Sequence, residues 1–292
     1  MSRTIKQELC EKCRRCMEIC PCHVIGINQN QEVHFIRERE SICLNCGQCM
    51  AICSTKAITV NGLSYGENVF DLPENKVDYE AFMDFLANRR SFRNFRNKAV
   101  PDSMLQKIVD SISFAPYGAA PEKVHITIIN GREKIEAALP FISKFLDDIV
   151  RWIENPLASF IIRNKNSQET FNTLKNHLYP ISKSGNYNPE LGDRITRGAP
   201  ALILLHAEKG AEEHTNNALI YATYMNLAAH SLGLGATMIG IVPAAINKVA
   251  EVKEIFQIPK EHESTASLIL GYPKYRYKRA IKRNQHAVEW IN

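Results

Sequence analysis

Cysteine is missing from most of this 292-residue chain: all nine cysteines lie between positions 10 and 53, and none follows. The larger part of the molecule therefore has no disulfide and no thiol nucleophile. An odd number of cysteines in tight groups argues against a disulfide framework and favours metal ligands. We therefore expect metal chemistry in the first sixty residues and a different kind of site in the remainder.

Long apolar runs and basic tracts are also missing. The chain has no run of 18 or more apolar residues, so no transmembrane helix is predicted. The first residues, MSRTIKQELC, lack the apolar core of a secretory signal, and we expect a cytoplasmic protein. The net charge of +5 is mild and no basic tract carries interleaved aromatics, so neither a nucleic acid nor a membrane is an expected partner.

A third absence concerns nucleotide binding. No G-x-G-x-x-G sequence follows a predicted strand, so a dedicated Rossmann site for a nicotinamide is not expected. The apolar content of 45% and the charged content of 23% are ordinary, and with this length they predict one or two globular domains.

What the first sixty residues do contain is one cysteine motif written twice. The sequence CEKCRRCMEICP begins at Cys10 and CLNCGQCMAICS begins at Cys43, and the four cysteines of each motif are separated by the same offset, 43 − 10 = 33. The short apolar run after each motif, VIGI and AITV, repeats at the same offset. Between the motifs, HVIGINQNQEVHFI predicts two short strands around a polar turn.

This spacing is typical of iron–sulfur clusters. A C-x2-C-x2-C run places three thiolates around one face of a cuboidal [4Fe–4S] cluster, and the fourth cysteine, further along, binds the other cluster. We assign the first cluster to Cys10, Cys13, Cys16 and Cys53. We assign the second cluster to Cys43, Cys46, Cys49 and Cys20. Over residues 5–62 the chain resembles a bacterial-type ferredoxin with two clusters.

The alternative for such cysteines is zinc, which is held by two separated C-x2-C pairs, a pattern that three cysteines per half-motif do not match. Cys22 has no assigned role, and Ser54 stands where a proline is expected after the second motif. His23 and His34 are expected at the surface or in the hairpin, since eight cysteines complete two clusters.

The rest of the chain predicts an α+β domain. We place a ferredoxin-like domain at residues 1–62, a linker rich in Gly, Asn and Pro at 63–77, and a larger domain at 78–292. Helices are predicted over 78–90 and from Pro101, with Asp102 or Ser103 as cap, and a long apolar helix ends at Gly233 or Gly235. Strands are predicted at 124–130, 199–207 and 265–273, an irregular alternation that favours α+β over a doubly wound sheet.

Residues 136–196 contain no recognisable motif. They are predicted to be largely helical and then to form a loop at SKSGNYNPELGD. A long insertion of this kind serves either as a lid or pocket wall over a site or as a purely structural excursion, and the sequence leaves both open.

The stretch RRSFRNF gathers Arg89, Arg90, Ser91 and Arg93 at a predicted helix end, and guanidinium groups suit a phosphate or the electron-rich edge of a flavin. It is followed in order by APYGAAPEKVHITII, NLAAHSLGLGATMIG and ILGYPKYRYKR. This ordered set resembles the FMN-dependent nitroreductase family over residues 78–292, and the whole chain resembles ferredoxin-fused nitroreductases of anaerobes. The resemblance implies a homodimer with FMN at the subunit interface.

The resemblance also implies roles for individual residues. Arg89, Ser91 and Arg93, with Arg90 between them, match the family's flavin-binding stretch. The family's A-P-S-x-x-N loop, supplied by the second subunit, matches residues 115–120, where Tyr117 and Ala120 replace the serine and the asparagine. Contacts from the backbone would remain at Pro116, Tyr117 and Gly118. A glycine segment ending at Gly240 would bring backbone N–H groups near the flavin, and Arg279 and Arg283 are the candidate phosphate ligands.

Together these features predict a flavoenzyme that receives its electrons through its own iron–sulfur clusters. Electrons from an external low-potential donor, such as a ferredoxin or a flavodoxin, would pass through two [4Fe–4S] clusters to FMN and reduce a small nitroaromatic or other electron-poor substrate. No catalytic side chain is assigned, because water could protonate the product. The alternatives are a flavoenzyme of the same fold acting on an activated alkene, a halide or a quinone, and an electron-transfer module serving a protein partner.

Overall fold

In the computed structural model the chain divides into two units, residues 1–78 and residues 79–292. The structure describes residues 3–165, 167–184, 187–188, 192–284 and 287–291. No helix within these ranges combines the length and the apolar character needed to cross a membrane. Each unit is described separately.

The first unit is made of short elements. They are β1 (Thr4–Ile5), α1 (Arg15–Glu18), β2 (Ile25–Ile27), β3 (Val33–Phe35), a 3-10 helix (Arg37–Ile42), α2 (Gln48–Ala51) and β4 (Ile58–Thr59). Strand β1 pairs with β4 and β2 pairs with β3, both antiparallel. The predicted hairpin is confirmed: the side chain of Asn28 accepts hydrogen bonds from the backbone of Asn30 and Glu32, each at 2.9 Å, which closes the turn.

The sequence repeat is also a backbone repeat. The bounds of α1 and α2 differ by the same 33 residues as the cysteines (48 − 15 = 33). Left-handed backbone conformations recur at the same offset in the pairs Lys12 and Asn45, Arg14 and Gly47, and His23 and Lys56. After Cys20 and Cys53 the turn closes with equivalent hydrogen bonds of 3.1 and 3.2 Å, so Ser54 supports the same turn as Pro21.

The segment expected to be a linker is partly structured. Ser64 and Asn68 form a closed turn, Tyr65 and Val69 form a β-bridge, and both of these apolar side chains pack against the core of the first unit. The unit therefore runs past position 62, to residue 78.

The second unit is a four-stranded antiparallel sheet covered by helices. In chain order its elements are α3 (Tyr79–Asn88), α4 (Asp102–Asp110), β5 (His125–Asn130), α5 (Arg132–Glu154), α6 (Pro156–Lys165), α7 (Gln168–Thr173), α8 (Tyr179–Lys183), β6 (Tyr187–Asn188), β7 (Gly192–Asp193), β8 (Ala201–Glu208), α9 (His214–Ser231), β9 (Gly235–Met238), α10 (Ile241–Ile246), α11 (Ala250–Ile255) and β10 (His262–Gly271). The strand order is β5-β8-β10-β9, and every pairing is antiparallel, which confirms the α+β class.

The sheet is buried on both faces, as the apolar run in β8 predicts. Alternate side chains of β8 point in opposite directions: Leu202 and Leu204 pack into a core with α5 and α10, whereas Ile203 and Leu205 pack into a core with α4 and α9. Each of these four side chains is fully buried. The strand thus holds two helical layers together.

Helix ends agree with the sequence in one place and differ in another. Helix α9 stops before Gly233, whose φ of 76° lies in the left-handed region that favours glycine, and Leu234 donates back to Ala229 at 2.9 Å. The expected side-chain cap of α4 is wrong. Pro101 occupies the N-cap, and Asp102 instead accepts a hydrogen bond of 2.6 Å from Asn130, which ties the helix to β5.

Residues 136–196 are largely helical, as predicted, through α5–α8 and a π-helical turn at Leu174–Leu178. Part of the expected loop, residues 185–186 and 189–191, lies outside the described residues. At the end of this segment, Asp193 accepts hydrogen bonds from the backbone N–H groups of Ile195, Thr196 and Gly198. It also forms an ion pair with Arg132 at 3.1 Å. Burial by itself would raise the pKa of Asp193, but the hydroxyl of Thr196, the backbone donors and Arg132 together lower it below its usual value.

Candidate functional site

The first unit contains two cavities, each lined by four of the predicted ligands. One is lined by Cys10, Cys13, Cys16 and Cys53. The other is lined by Cys20, Cys43, Cys46 and Cys49. In both cavities the fourth cysteine comes from the other motif, as the spacing predicts. Cys22, which has no role in the prediction, also lines the second cavity.

The thiols in each cavity are electrostatically coupled. Burial, followed by the neighbouring Cys10 and Cys13, raises the pKa of Cys16 to about 11. Burial raises the pKa of Cys49 to about 12, and the neighbouring Cys46 adds to this. Thiolates gathered in these cavities need a cation to offset their desolvation and mutual repulsion, and the iron atoms of a cluster supply that charge.

In the described part of the chain, no group of three or more His, Cys, Asp or Glu side chains is placed to hold one metal ion. In a cuboidal cluster each thiolate binds a different iron, so the four sulfur atoms stand further apart than the ligands of a single ion. The cavities therefore fit a cluster, which the apolar side chains Ile5, Val33 and Ile58 around the first cavity shield from water.

Backbone donors point at the fourth cysteine of each motif. The N–H of Val24 donates to Cys20 Sγ at 3.5 Å, and the N–H of Ala57 donates to Cys53 Sγ at 3.4 Å. Hydrogen bonds to cluster sulfurs are among the features that set a cluster's reduction potential. These two contacts occupy equivalent positions of the repeat, so both sites share this feature.

In the second unit, the basic stretch is attached to the edge of the sheet. Ser91 forms a β-bridge with Ala236, and the N–H of Phe92 donates to the carbonyl of Ala236 at 3.2 Å. The ring of Phe92 lies directly over Gly235: a Cβ on this glycine would come within 2.5 Å of the ring. Gly235 is therefore required for the close approach of the stretch to β9.

This contact opens a cavity of about 380 Å³ beside β9. It is lined by Arg89, Ser91, Arg93, Thr223, Asn226, Leu227, Thr237 and Met238. Arg93 donates to the carbonyl of Ser91 at 3.3 Å, and among the described residues neither Arg89 nor Arg93 has a carboxylate at ion-pair distance. Two guanidinium groups without a carboxylate partner among the described residues, hydroxyl groups and an apolar wall fit an anionic ligand that also carries a flat apolar part.

The structure brings only some of the predicted residues to this cavity. Arg89, Ser91 and Arg93 line it, whereas the guanidinium of Arg90 lies 5.9 Å from the ring centre of Tyr277. Gly240 does not line the cavity: it precedes α10, two positions after the end of β9, and has open space beside it. Arg279 and Arg283 are exposed in the C-terminal segment and make no hydrogen bond or ion pair with a described residue.

The predicted loop at Pro116, Tyr117 and Gly118 does not line this cavity. It is fixed to the start of α9, where the fully buried Asn217 accepts from the N–H of Gly118 at 2.7 Å and donates to the carbonyl of Ala119 at 3.0 Å. Tyr117 remains nearly half exposed, at 46%. A role for this loop in the site of a second subunit stays a prediction.

Sequence reasoning missed the contribution of α9. The sequence predicted α9 only as a long apolar helix, and its Tyr221 and Met225 are buried in the core. Its other face presents Thr223, Asn226 and Leu227 to the cavity. The signal was present: Thr223 and Asn226 are polar residues three positions apart in the mostly apolar middle of the helix, so they share one face.

Arg197 was also missed. Burial, followed by the positive charge of Arg93, lowers the pKa of Arg197, so the two guanidinium groups lie close together. Its backbone is left-handed, with φ of 61°, next to the hydrogen-bonded turn at Asp193. This region adds a third positive charge near the cavity.

Comparisons with known proteins agree with this geometry. The model of the nitroreductase family matches residues 86–272, and the model of a 4Fe-4S dicluster domain matches residues 9–67. A protein of Methanothermobacter thermautotrophicus, named as an NADH dehydrogenase or NAD(P)H nitroreductase, is 23% identical over 205 residues, covering 68% of this chain and 81% of that protein.

Solved structures show the same fold in the second unit. A nitroreductase with bound FMN from Bacteroides fragilis has a TM-score of 0.51 at 19% identity and covers 71% of this chain and 98% of its own. A nitroreductase with bound FMN from Desulfitobacterium hafniense has a TM-score of 0.51 at 19% identity and covers 72% of this chain and 97% of its own.

Proposed function

The chain belongs to the nitroreductase family, and on that basis we propose that it is an FMN-dependent oxidoreductase that receives electrons through two [4Fe–4S] clusters. The cavity between Arg93, Thr237 and α9 carries this proposal, because it offers two guanidinium groups that no described carboxylate pairs with, beside an apolar wall. It occurs in one chain with two cavities that are each lined by four cysteines.

Each part of the cavity would hold a different part of FMN. Arg89, Ser91 and Arg93 would bind its negatively charged and electron-rich groups through charge-assisted hydrogen bonds. Leu227 and Met238 would contact the flat ring system. When bound, FMN supplies the ability to take up electrons one at a time and to pass them on in pairs. The cationic side chains would stabilise the reduced, anionic form of the ring.

The cysteines would bind the two clusters in the sets described above, and each cluster would carry one electron. An external low-potential donor, such as a ferredoxin or a flavodoxin, would supply these electrons. The Methanothermobacter relative is named for NADH and NAD(P)H, so direct donation by a nicotinamide over the flavin is kept as a second route.

The substrate would be a small nitroaromatic or another electron-poor molecule. Position 239, between the cavity residue Met238 and Gly240, is an isoleucine, so the chain offers no acid there, and water would protonate the product. We further propose a homodimer, in which the loop of Pro116, Tyr117 and Gly118 completes the flavin site of the other subunit. An activated alkene, a halide, a quinone or a protein partner are the alternative electron acceptors.

The first experiment is anaerobic purification with iron, sulfide and flavin quantitation. We expect about eight irons and one FMN per chain, as two four-iron clusters and one flavin require. The reduced protein, mixed with a nitroaromatic or an enone without any other protein, should lose its electrons. Eight irons with no flavin, even after FMN is added, would overturn the flavin site. Retention of the electrons until a protein partner is added would favour the electron-transfer module.

The residue-level test is Arg93→Gln. Loss of one charge-assisted hydrogen bond costs roughly 1.5–3 kcal/mol, so FMN should bind roughly 10- to 150-fold more weakly, measured by flavin fluorescence on the purified chain. Arg96→Gln is the matched control: Arg96 is exposed, donates to the carbonyl of Pro273 at 3.0 Å and does not line the cavity. Equal losses in both variants would contradict the assignment of Arg93.

A further inference from the structure

The internal repeat allows the two cluster cavities to be compared position by position. Subtracting 33 pairs each residue of the second motif with one of the first, and the backbones of the two motifs agree. Differences between paired side chains are therefore differences between two otherwise equivalent sites. Four pairs line both cavities and differ in charge or in a hydrogen bond to a cysteine: Glu11 and Leu44, Arg14 and Gly47, Arg15 and Gln48, and Cys22 and Thr55. Lys12 and Asn45, Glu18 and Ala51, and His23 and Lys56 also differ in charge, but none of these pairs lines both cavities.

The first difference is a hydrogen bond. The hydroxyl of Thr55 lies 3.6 Å from Cys53 Sγ, in addition to the backbone donor from Ala57. A cysteine that binds iron is a thiolate without a proton, so the Thr55 hydroxyl must be the donor. The counterpart of Thr55 is Cys22, and among the described residues it makes no hydrogen bond to Cys20. The set with Cys53 thus receives one more donor.

The second difference is charge. Glu11, Arg14 and Arg15 line the first cavity, which gives two positive charges against one negative charge, a sum of +1. Their counterparts at the second cavity are uncharged, and no described residue with a charged side chain lines it. Arg3 reaches Asn45 near the second cavity, but its charge is opposed by Glu40 at 3.8 Å. The three charged residues of the first cavity are exposed, so salt weakens their effect.

Both differences act in the same direction. A cluster that accepts an electron gains negative charge, which hydrogen bonds to its sulfurs and nearby positive charge stabilise. We infer that the cluster held by Cys10, Cys13, Cys16 and Cys53 has the higher reduction potential, and that Thr55 is the residue that tunes it. In the half-reduced protein the single electron resides at this cluster. The two clusters are then reduced in a fixed order, the cluster with Cys53 first.

The inference rests on the proposed presence of both clusters, and it is tested on the complete chain purified with eight irons. A potentiometric titration followed by EPR should give two separate one-electron steps. Thr55→Val removes the hydroxyl and should lower the higher midpoint potential while leaving the lower one in place. The reciprocal change, Cys22→Thr, should raise the lower midpoint potential, and the double exchange Thr55→Cys with Cys22→Thr should narrow or reverse the separation.

Ser54→Ala is the matched control, because it removes an exposed hydroxyl from the same turn that makes no hydrogen bond to a sulfur. Thr55→Ser keeps the hydroxyl donor and should retain the wild-type midpoint potentials. If Thr55→Val binds its clusters poorly, this variant still distinguishes an effect of the hydrogen bond from an effect of side-chain packing. A single shared midpoint in the wild type, or a Thr55→Val shift in the lower step, would overturn the inference. Two ordered steps in a chain that binds no FMN would instead refute the proposed function and leave this inference standing.

Discussion

The two units of this protein are stabilised in different ways. The first unit has few buried apolar side chains, and Cys16 and Cys20 are themselves part of its core. Its short helices and strands surround two cavities lined by cysteines. In the second unit a central strand carries apolar side chains into two large cores. A domain of fewer than 80 residues rarely supplies enough apolar burial by itself, so metal ligation takes over part of that role. The first unit therefore depends on its ligands, and the second on its packing.

The largest effect that this comparison predicts is selective unfolding. Removal of iron, or the change Cys16→Ser together with Cys49→Ser, should unfold residues 1–78 and leave the second unit folded, because the cluster bonds contribute folding free energy directly. Hydrogen exchange followed by mass spectrometry measures both units in one experiment. Cys22→Ser is the control, since Cys22 belongs to neither ligand set. Retained protection of the first unit without iron would show that its apolar core suffices.

The second prediction concerns acid sensitivity in the second unit. His206 is 4% exposed, with Thr127 at 2.9 Å and His262 at 2.8 Å from its ring nitrogens. Burial, followed by the nearby His262, His125 and Lys253, lowers the pKa of His206 to about 4. The folded state therefore favours the neutral ring of His206. The stability that this neutral ring contributes is fully present above the unfolded pKa of about 6.5 and is lost as the pH falls toward 4.

A shift of this size corresponds to roughly 3 kcal/mol of unfolding free energy across that pH window. Urea unfolding of the second unit at pH 7 and at pH 5 should show about 2 kcal/mol of this loss, because pH 5 lies inside the window, and His206→Gln should flatten the dependence of the unfolding free energy on pH. His177→Gln serves as the control, because His177 is exposed on the π-helical turn. If the unfolding free energy of the His206→Gln variant changed with pH as steeply as that of the wild type, the acid sensitivity would belong to other groups.

The third prediction tests the contact that builds the cavity. Gly235→Ala places a Cβ within 2.5 Å of the Phe92 ring and should destabilise the second unit by about 1–3 kcal/mol, with weaker FMN binding because the Arg89–Arg93 stretch must move. Thermal unfolding and FMN titration measure the two effects. The double change Gly235→Ala with Phe92→Ala should cost less than the sum of the single changes, and simple additivity would contradict the contact.

Much of the local structure could be predicted from the sequence. The hairpin around Asn28, strand β8 and the end of α9 at Gly233 each depend on short-range chemistry: a polar turn, an apolar run and a residue that tolerates positive φ. The cap of α4 was missed because Asp102 has a partner in Asn130, which is distant in sequence and brought close by the sheet. Local patterns contain no information about such a competitor.

The amino-acid sequence by itself predicted which four cysteines line each of the two cavities, because the two motifs repeat at a fixed spacing and the fourth cysteine of each lies beyond the reach of its own loop. Only the tertiary structure decided that Thr223 and Asn226 of α9 face Arg93, and that Phe92 closes over Gly235. These contacts join residues more than 100 positions apart. They depend on the register of β9 in the sheet and on the packing of α9, which no local spacing sets.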